Sequence, residues 1–326
     1  MAELSMVEAI RTALARALTD DPRVIVMGED VGADGGVFRA TDGLLATFGQ
    51  DRVFDMPISE SSFVGFGVGL SAQGMRPVIE YQFSGFLCPA IDQLVNHASR
   101  LRNRTRGRLS CPMVVRAPFG AGVHAPEHHS ESAEAMYAHI PGLRVVIPSS
   151  PTRAYGLLLA AIRDPDPVVF LEPKRIYRSS REEVADDGVA LTLDTCFTLR
   201  SGDDITLVTW GAGTVETLSA ADRLAARGIQ ADVIDVATLR PFDMATILAS
   251  VERTGRCVIV HEAVRSGGFG AEIAAQLADV GLTSLLAPVR RVTGYDTIVP
   301  LARLEKEFLP SVDRVFDTAL DVMRYV

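Results

Sequence analysis

Cysteine, asparagine and positive charge are all in short supply in this chain. Four cysteines, Cys88, Cys111, Cys196 and Cys257, lie far apart in 326 residues and form no Cys-x-x-Cys pair. That reads as small buried thiols in a reducing compartment, not as a disulfide framework. Basic residues are outnumbered, 32 Lys+Arg against 41 Asp+Glu, for a net charge of -9. No broad surface can neutralise phosphates, which excludes a nucleic-acid partner. The one basic run, Arg100 to Arg108, is local and interleaved with apolar and small residues. No stretch approaches the ~20 apolar residues of a membrane span. The first residues, Met1-Ala2-Glu3-Leu4-Ser5, lack the basic-then-apolar pattern of a leader, although a chain whose leader had been removed would read the same. Asparagine occurs only twice, at Asn96 and Asn103.

What remains is an ordinary globular composition, 48% hydrophobic and 22% charged. A single core stops growing at roughly 250–300 residues, so two domains are expected. Ser5 and Glu8 form a capping box ahead of Met6, Ile10, Leu14 and Leu18 at helical spacing. Short apolar runs at Val24–Met27, Pro77–Tyr81, Met113–Val115, Leu143–Ile147 and Val168–Leu171 read as buried strands. Helices are expected over 88–103 and from Thr152 to Arg163. Between Glu172 and Asp203 the pattern dissolves into charged and Gly-containing sequence, with a weak strand near Val189, and this reads as a linker. A second run follows, with strands at Ile205–Thr209, Ala231–Val236, Cys257–Val260 and Val289–Val292 and helices starting near Thr214, Met244 and Gly270. Strands alternating with helices imply parallel sheets covered on both faces. The expected division is residues 1–172, a linker over 173–203, and 204–326.

Several motifs have a bland and a functional reading. Gly211-Ala212-Gly213 follows a strand, opens a helix and precedes Asp232 by about 20 residues, as a dinucleotide fingerprint would. Its third glycine is missing, and a tight turn needs glycine on steric grounds alone. Gly65, Gly67 and Gly69 fit close helix packing better than ligand binding. His124, Glu127, His128 and His129 suggest a metal, but Ala125-Pro126 breaks the helix that would align them. An acid–base histidine in a loop is the better reading. His261-Glu262 lacks the second histidine of a zinc-protease motif, and Pro173-Lys174-Arg175 reads as a solvated turn. Asp55-Met56-Pro57-Ile58-Ser59-Glu60 is either a helix cap or a carboxylate held at a strand's carboxyl end, where α/β sheets bind ligands.

Taken in order, the blocks Asp55–Glu60, Glu80-Tyr81-Gln82-Phe83-Ser84-Gly85-Phe86, Ala90-Ile91-Asp92-Gln93, Glu127-His128-His129-Ser130, Pro141-Gly142-Leu143, Phe170–Lys174, His261-Glu262-Ala263 and Gly294-Tyr295-Asp296 resemble the beta subunit of thiamine-diphosphate-dependent 2-oxoacid dehydrogenases. The resemblance runs from Ser5 to the C-terminus. It implies a transketolase-like pyrimidine-binding domain followed by a transketolase C-terminal domain. It also implies that Glu60 hydrogen-bonds a nitrogen of the cofactor's aminopyrimidine ring, that Phe86 stacks on that ring, and that Ile58 and Gln82 line the pocket. A carboxylate at Glu60 suits that nitrogen, because it favours the tautomer able to take a proton from the thiazolium carbon. By the same match His129 faces the intermediate during acyl transfer to lipoamide, although His128 adjoins it and Glu131 stands where many relatives have glutamine. A structural potassium ion would fall on Met113, Ala161, Ile162, Asp164 and Asp166, the last being asparagine in many relatives.

Complete thiamine enzymes anchor magnesium and the diphosphate with a Gly-Asp-Gly motif ending in paired asparagines. No Gly-Asp-Gly occurs here, and neither asparagine has an asparagine neighbour. The resemblance therefore implies an alpha subunit that supplies this half-site, an α2β2 heterotetramer, and a dihydrolipoyl acyltransferase core. Branched-chain 2-oxoacids are the preferred substrate reading, from Phe170–Lys174, Glu182-Glu183-Val184 and Gly294–Asp296. Pyruvate is the alternative, from Gln82–Phe86 and Gly122–Glu127, and acetoin the third. A self-sufficient transketolase, an NAD oxidoreductase and a chemically silent subunit are the competing classes. The expected location is the cytoplasm, or the mitochondrial matrix for a eukaryotic chain.

Overall fold

The computed structural model describes residues 1–325. The chain forms two compact units, one from Met1–Phe119 and Met136–Leu193, the other from Gly120–Ala135 and Asp194 onward. The strands of the first are β1 (Ala2–Leu4), β2 (Val24–Gly28), β3 (Val53–Asp55), β4 (Arg76–Glu80), β5 (Val114–Phe119), β6 (Arg144–Val146), β7 (Val168–Pro173) and β8 (Glu182–Val184). Six of them run in the order β6-β7-β5-β4-β2-β3, every neighbouring pair parallel. All residues of β2, β5 and β7 are buried, as a sheet covered on both faces requires. The helices Met6–Asp20 and Pro151–Arg163 pack against each other. The Glu8 carboxylate accepts from the Ser5 backbone N–H and hydroxyl at 2.7 Å each, and Ser150 caps the second helix. The helix Glu60–Ala72 lies so close to the sheet that a Cβ on Gly67 would come within 2.6 Å of Ile79 and 2.7 Å of Met113. Its glycines thus follow the packing reading.

In the second unit the strands are β9 (Phe197–Arg200), β10 (Ile205–Thr209), β11 (Ala231–Asp235), β12 (Thr238–Arg240), β13 (Cys257–Val264) and β14 (Arg290–Gly294). The order β14-β13-β10-β11-β9 is parallel except for the antiparallel edge strand β9. The helices Gly213–Ala225 and Val312–Met323 cover one face, burying Leu224, Val315 and Phe316 against Ile205, Leu207, Val233, Val258 and Val260.

Three segments differ from expectation. The stretch 88–103 is no single α-helix: 3-10 turns (Ser84–Ala90), one α turn (Ile91–Gln93), a π segment (Leu94–Ala98) and Leu101–Arg104 follow each other. Pro89, which has no N–H, helps to keep the first part from continuing as α-helix. The stretch 173–203 is structured. β8 pairs antiparallel with β1, Tyr155 donates to Asp186 at 2.8 Å, and Leu191 lies where a side chain on Gly156 would sit. Val189 is exposed and belongs to no strand. Finally, residues 120–135 group with the second unit although the chain on both sides belongs to the first.

Candidate active site

Open parallel sheets bind ligands beyond the carboxyl ends of their strands, and in the first unit that edge carries several carboxylates. β2 runs into Glu29 and Asp30, β3 ends on Asp55, and β4 ends on Glu80 ahead of Tyr81 and Gln82. Asp55 accepts the N–H groups of Gly32 and Ala33 at 2.7 and 3.0 Å, so it anchors the loop after β2 and does not cap the next helix. Asp30, at φ 56°, accepts from Gln82 Nε2 at 3.0 Å and orients that side chain. Glu60 is the first residue of its helix and half-buried, where the helix dipole favours negative charge. Ser59 makes no capping hydrogen bond and turns its hydroxyl to Ser62 at 2.8 Å. Phe86 is half-buried on the 3-10 turn, its ring 6.1 Å from Phe83, which in turn meets Phe38 at 5.5 Å. Ile58 is 81% exposed. Glu60, Gln82 and Phe86 thus sit on one unit, at the carboxyl edge of one sheet.

Two further groups complete this edge. Glu29 carries no motif, and only its place at the end of a strand could have flagged it. Its Oε1 is buried without a hydrogen-bond partner, and its pKa is raised by burial and then by the negative charges of Glu60 and Asp30. Below the edge lies a fully buried ion cluster. Arg116 Nε and Nη2 donate to the two oxygens of Glu172 at 2.7 and 2.9 Å, Nη1 donates to Glu80, and the Tyr177 hydroxyl donates to Glu172 at 2.5 Å. Burial works against the guanidinium charge, but Glu172 and Glu80 outweigh it and hold Arg116 above its ordinary pKa. Burial raises the pKa of Glu80 against the pull of Arg116.

In the second unit the segment 120–135 carries His129. Glu305, buried on the helix Ala302–Phe308, accepts from His124 Nδ1 at 2.7 Å and from the Gly122 N–H. Glu262 accepts the Ala121 N–H at 3.4 Å, and Ala121 packs with Val299, Phe308 and Leu309. These ties draw the loop into this unit. His124 is thereby engaged by Glu305; the rings of His128 and His129 lie 4.1 Å apart, His128 exposed and His129 half-buried. Among the described residues no group of three or more His, Cys, Asp or Glu side chains is arranged to hold a metal ion.

The same unit buries Glu134, which accepts from Trp210 Nε1 at 3.2 Å, while Trp210 stacks on the buried His261 at 5.1 Å. Burial pushes the Glu134 carboxyl up to about 7 and the His261 imidazole down to about 4. A raised carboxyl contributes stability that is complete below its unfolded pKa near 4.5 and lost as pH climbs through about 7. Glu134→Gln is therefore expected to gain melting temperature on the parent at each step from pH 5 to pH 8. Parallel melting profiles would refute this.

Two other candidate sites are explained by packing. A Cβ on Gly213 would meet Thr209 Oγ1 at 2.7 Å, so the turn needs glycine for space. Asp232 lies near the start of β11, not at its carboxyl end, and accepts from Ser250 and Arg253 at 2.5 Å each. The carboxylate at the fingerprint spacing is thus already engaged by this chain's own donors. At the potassium positions, the Met113 carbonyl accepts the Val168 N–H at 2.9 Å, and Arg76 Nη1 donates to the carbonyls of Ile162 and Asp164 at 2.8 and 3.2 Å. The Ala161 carbonyl accepts the Asp164 N–H at 3.3 Å, and Asp166 pairs with Arg102 at 2.6 Å. The carbonyls expected to hold the ion are thus already engaged by this chain's own donors, two of them by the Arg76 guanidinium.

Residues 2–180 match the transketolase pyrimidine-binding domain and residues 195–315 the transketolase C-terminal domain. The chain is 46% identical to the pyruvate dehydrogenase E1 component subunit beta of Bacillus subtilis (strain 168), over 100% of both chains. It is 44% identical to the subunit of the same name from Staphylococcus aureus (strain Mu50 / ATCC 700699), again over 100% of both. A solved structure described as a split gene transketolase, inactive beta4 tetramer, shares the fold at a TM-score of 0.82 and 23% identity, covering 99% of each chain. Both named relatives are pyruvate dehydrogenase subunits, which favours the pyruvate reading and does not support the branched-chain preference. Of the blocks that suggested branched-chain substrates, Phe170–Pro173 is wholly buried and its Glu172 is held by Arg116 and Tyr177, so it serves the core of the first unit. Full-length relatives, two matched domains and a carboxylate-lined sheet edge agree: the chain belongs to the thiamine-diphosphate-dependent 2-oxoacid dehydrogenases, as a beta subunit.

Proposed function

We propose that this chain, with an alpha subunit, forms a pyruvate dehydrogenase that decarboxylates the 2-oxoacid and passes the acyl group to lipoamide on a dihydrolipoyl acyltransferase core. The observation that carries the reading is Glu60 at a helix start with Glu29 beside it, whose buried Oε1 lacks a partner. A buried acceptor of that kind fits the donor-bearing edge of an aminopyrimidine ring. When bound, thiamine diphosphate supplies a carbon nucleophile and an electron sink. The chain's part is to hold and move protons around it. Glu60 holds the proton shared with the ring nitrogen, Phe86 offers its face for stacking, and Gln82, oriented by Asp30, lines the pocket with Ile58. The loop that carries His129 is braced by Glu305 and Glu262, so that a titratable imidazole is offered to the acyl group from a fixed backbone.

The absent Gly-Asp-Gly motif supports an α2β2 assembly in which the alpha chain holds magnesium and the diphosphate. The bacterial relatives support a cytoplasmic location. No helix among the described residues is long and apolar enough to cross a membrane. A structural potassium ion on Met113, Ala161, Ile162, Asp164 and Asp166 is part of the proposal.

Calorimetric titration tests the reading. The isolated chain is expected to bind neither thiamine diphosphate with magnesium nor NAD tightly, and the co-expressed pair to bind the cofactor and favour pyruvate over branched-chain 2-oxoacids. Tight NAD binding by the isolated chain would overturn the assignment, and a branched-chain preference would overturn the substrate. In the same preparation potassium chloride should raise the melting temperature above that in choline chloride; equal values remove the ion.

A further inference from the structure

The side chain that holds the Glu60 backbone is that of Tyr81, which lies in the block Glu80–Phe86 but to which the resemblance assigns no role. Tyr81 is 1% exposed, yet its hydroxyl reaches the first turn of the next-door helix and donates to the Glu60 carbonyl at 2.5 Å. Its ring packs on Phe63, one turn further along that helix, at 5.5 Å. Its own N–H donates to the Arg116 carbonyl at 2.9 Å, so its base stands on the residue that Glu80 and Glu172 clamp. The side chain is therefore a strut between a rigid point of the sheet and the residue that opens the helix. Ser59 makes no capping hydrogen bond, and the Ser61 hydroxyl, which donates to the Pro89 carbonyl at 2.6 Å, ties the same turn to the 3-10 segment Ser84–Ala90 and not to the sheet. The Glu60 and Glu29 carboxylates are also close enough that their charges help raise the Tyr81 hydroxyl's pKa, after burial, which keeps it protonated and able to donate.

We infer that Tyr81 is a positioning residue for cofactor activation: its hydroxyl holds the Glu60 backbone, and through it the carboxyl, in register with the aminopyrimidine nitrogen. The inference rests on the proposed role of Glu60. It makes a specific statement about coupling, since a strut acting only through a carboxyl has no effect once that carboxyl is gone.

The test is a double-mutant cycle on the co-expressed alpha–beta complex, read as the dissociation constant for thiamine diphosphate with saturating magnesium. Tyr81→Phe keeps the ring and its packing and removes only the donor. In the presence of Glu60 it is expected to weaken cofactor binding about fivefold, the worth of one hydrogen bond. In a Glu60→Ala background the same substitution should change the constant by less than about twofold. A fivefold loss in both backgrounds makes Tyr81 a general packing residue and overturns the inference, as does no loss in either. The kinetic counterpart is a lower kcat with an unchanged KM for the 2-oxoacid; a shift in KM alone would count against it. If instead Glu60→Ala keeps normal cofactor affinity and turnover, the role of Glu60 itself fails, an outcome distinct from failure of the strut.

Discussion

Glu60→Gln, assembled with its alpha partner, is expected to lose about two to four orders of magnitude in decarboxylation rate, the usual worth of a positioned acid–base group. Glutamine keeps the length and shape of the side chain at the helix start. Its amide can still meet a ring nitrogen, but it cannot hold and return a proton. Cofactor affinity should therefore fall much less than kcat, and the complex should assemble and melt as the parent does. Single-turnover decarboxylation of the 2-oxoacid separates this from a defect in later acyl transfer. Near-normal turnover would sink the assignment. In this variant Glu29 loses the Glu60 charge that helps to raise its pKa, while burial and Asp30 still hold it up.

The largest effect on stability is expected at Arg116. Removing one member of a buried ion cluster leaves uncompensated charge in the interior, at a cost of about 3–5 kcal/mol. Arg116→Met would strand Glu80 and Glu172, 3% and 0% exposed, although the Tyr177 hydroxyl still donates to Glu172. Burial already raises the Glu80 pKa, so stability tied to its neutral form is present at low pH and lost as pH rises through the folded value. The deficit of the variant should accordingly widen from pH 5 to pH 8. Glu80→Gln added to Arg116→Met should restore part of the loss, since it removes one of the stranded charges. Equilibrium urea unfolding reads both variants, and an Arg116→Met protein within about 1 kcal/mol of the parent would contradict the account. The same cluster anchors Tyr81, so its effects should reach the site as well as the melting curve.

Much of the architecture follows from rules that act over a few residues. Val24–Met27 is apolar on both faces, so it can only be a covered strand, and β2 is buried throughout. Ser5 and Glu8 satisfy donors within one turn, so the first helix start was legible. The glycines at 65, 67 and 69 were readable as packing residues because steric space is a local demand. The stretch 88–103 misled because helical periodicity does not distinguish α from π or 3-10 turns. Within the stretch 173–203, read as a linker, β8 gains its order from β1, about 180 residues away, and not from its own composition.

By itself, then, the sequence determined two α/β units with parallel sheets and the lack of a Gly-Asp-Gly anchor, while the proposed half-site on Glu60, Phe86 and Gln82 comes from its resemblance to the family. The first two are matters of residue type and near spacing, which steric and hydrogen-bonding rules translate directly. Tertiary structure alone decided that Asp55 serves the loop backbone while Glu29 sits buried beside Glu60. It alone drew the His129 loop into the second unit through Glu305 and Glu262, and set Tyr81 between Arg116 and the Glu60 helix. Those outcomes depend on which charge is desolvated and which distant donor finds it. Contacts made across the fold set both, and local spacing sets neither.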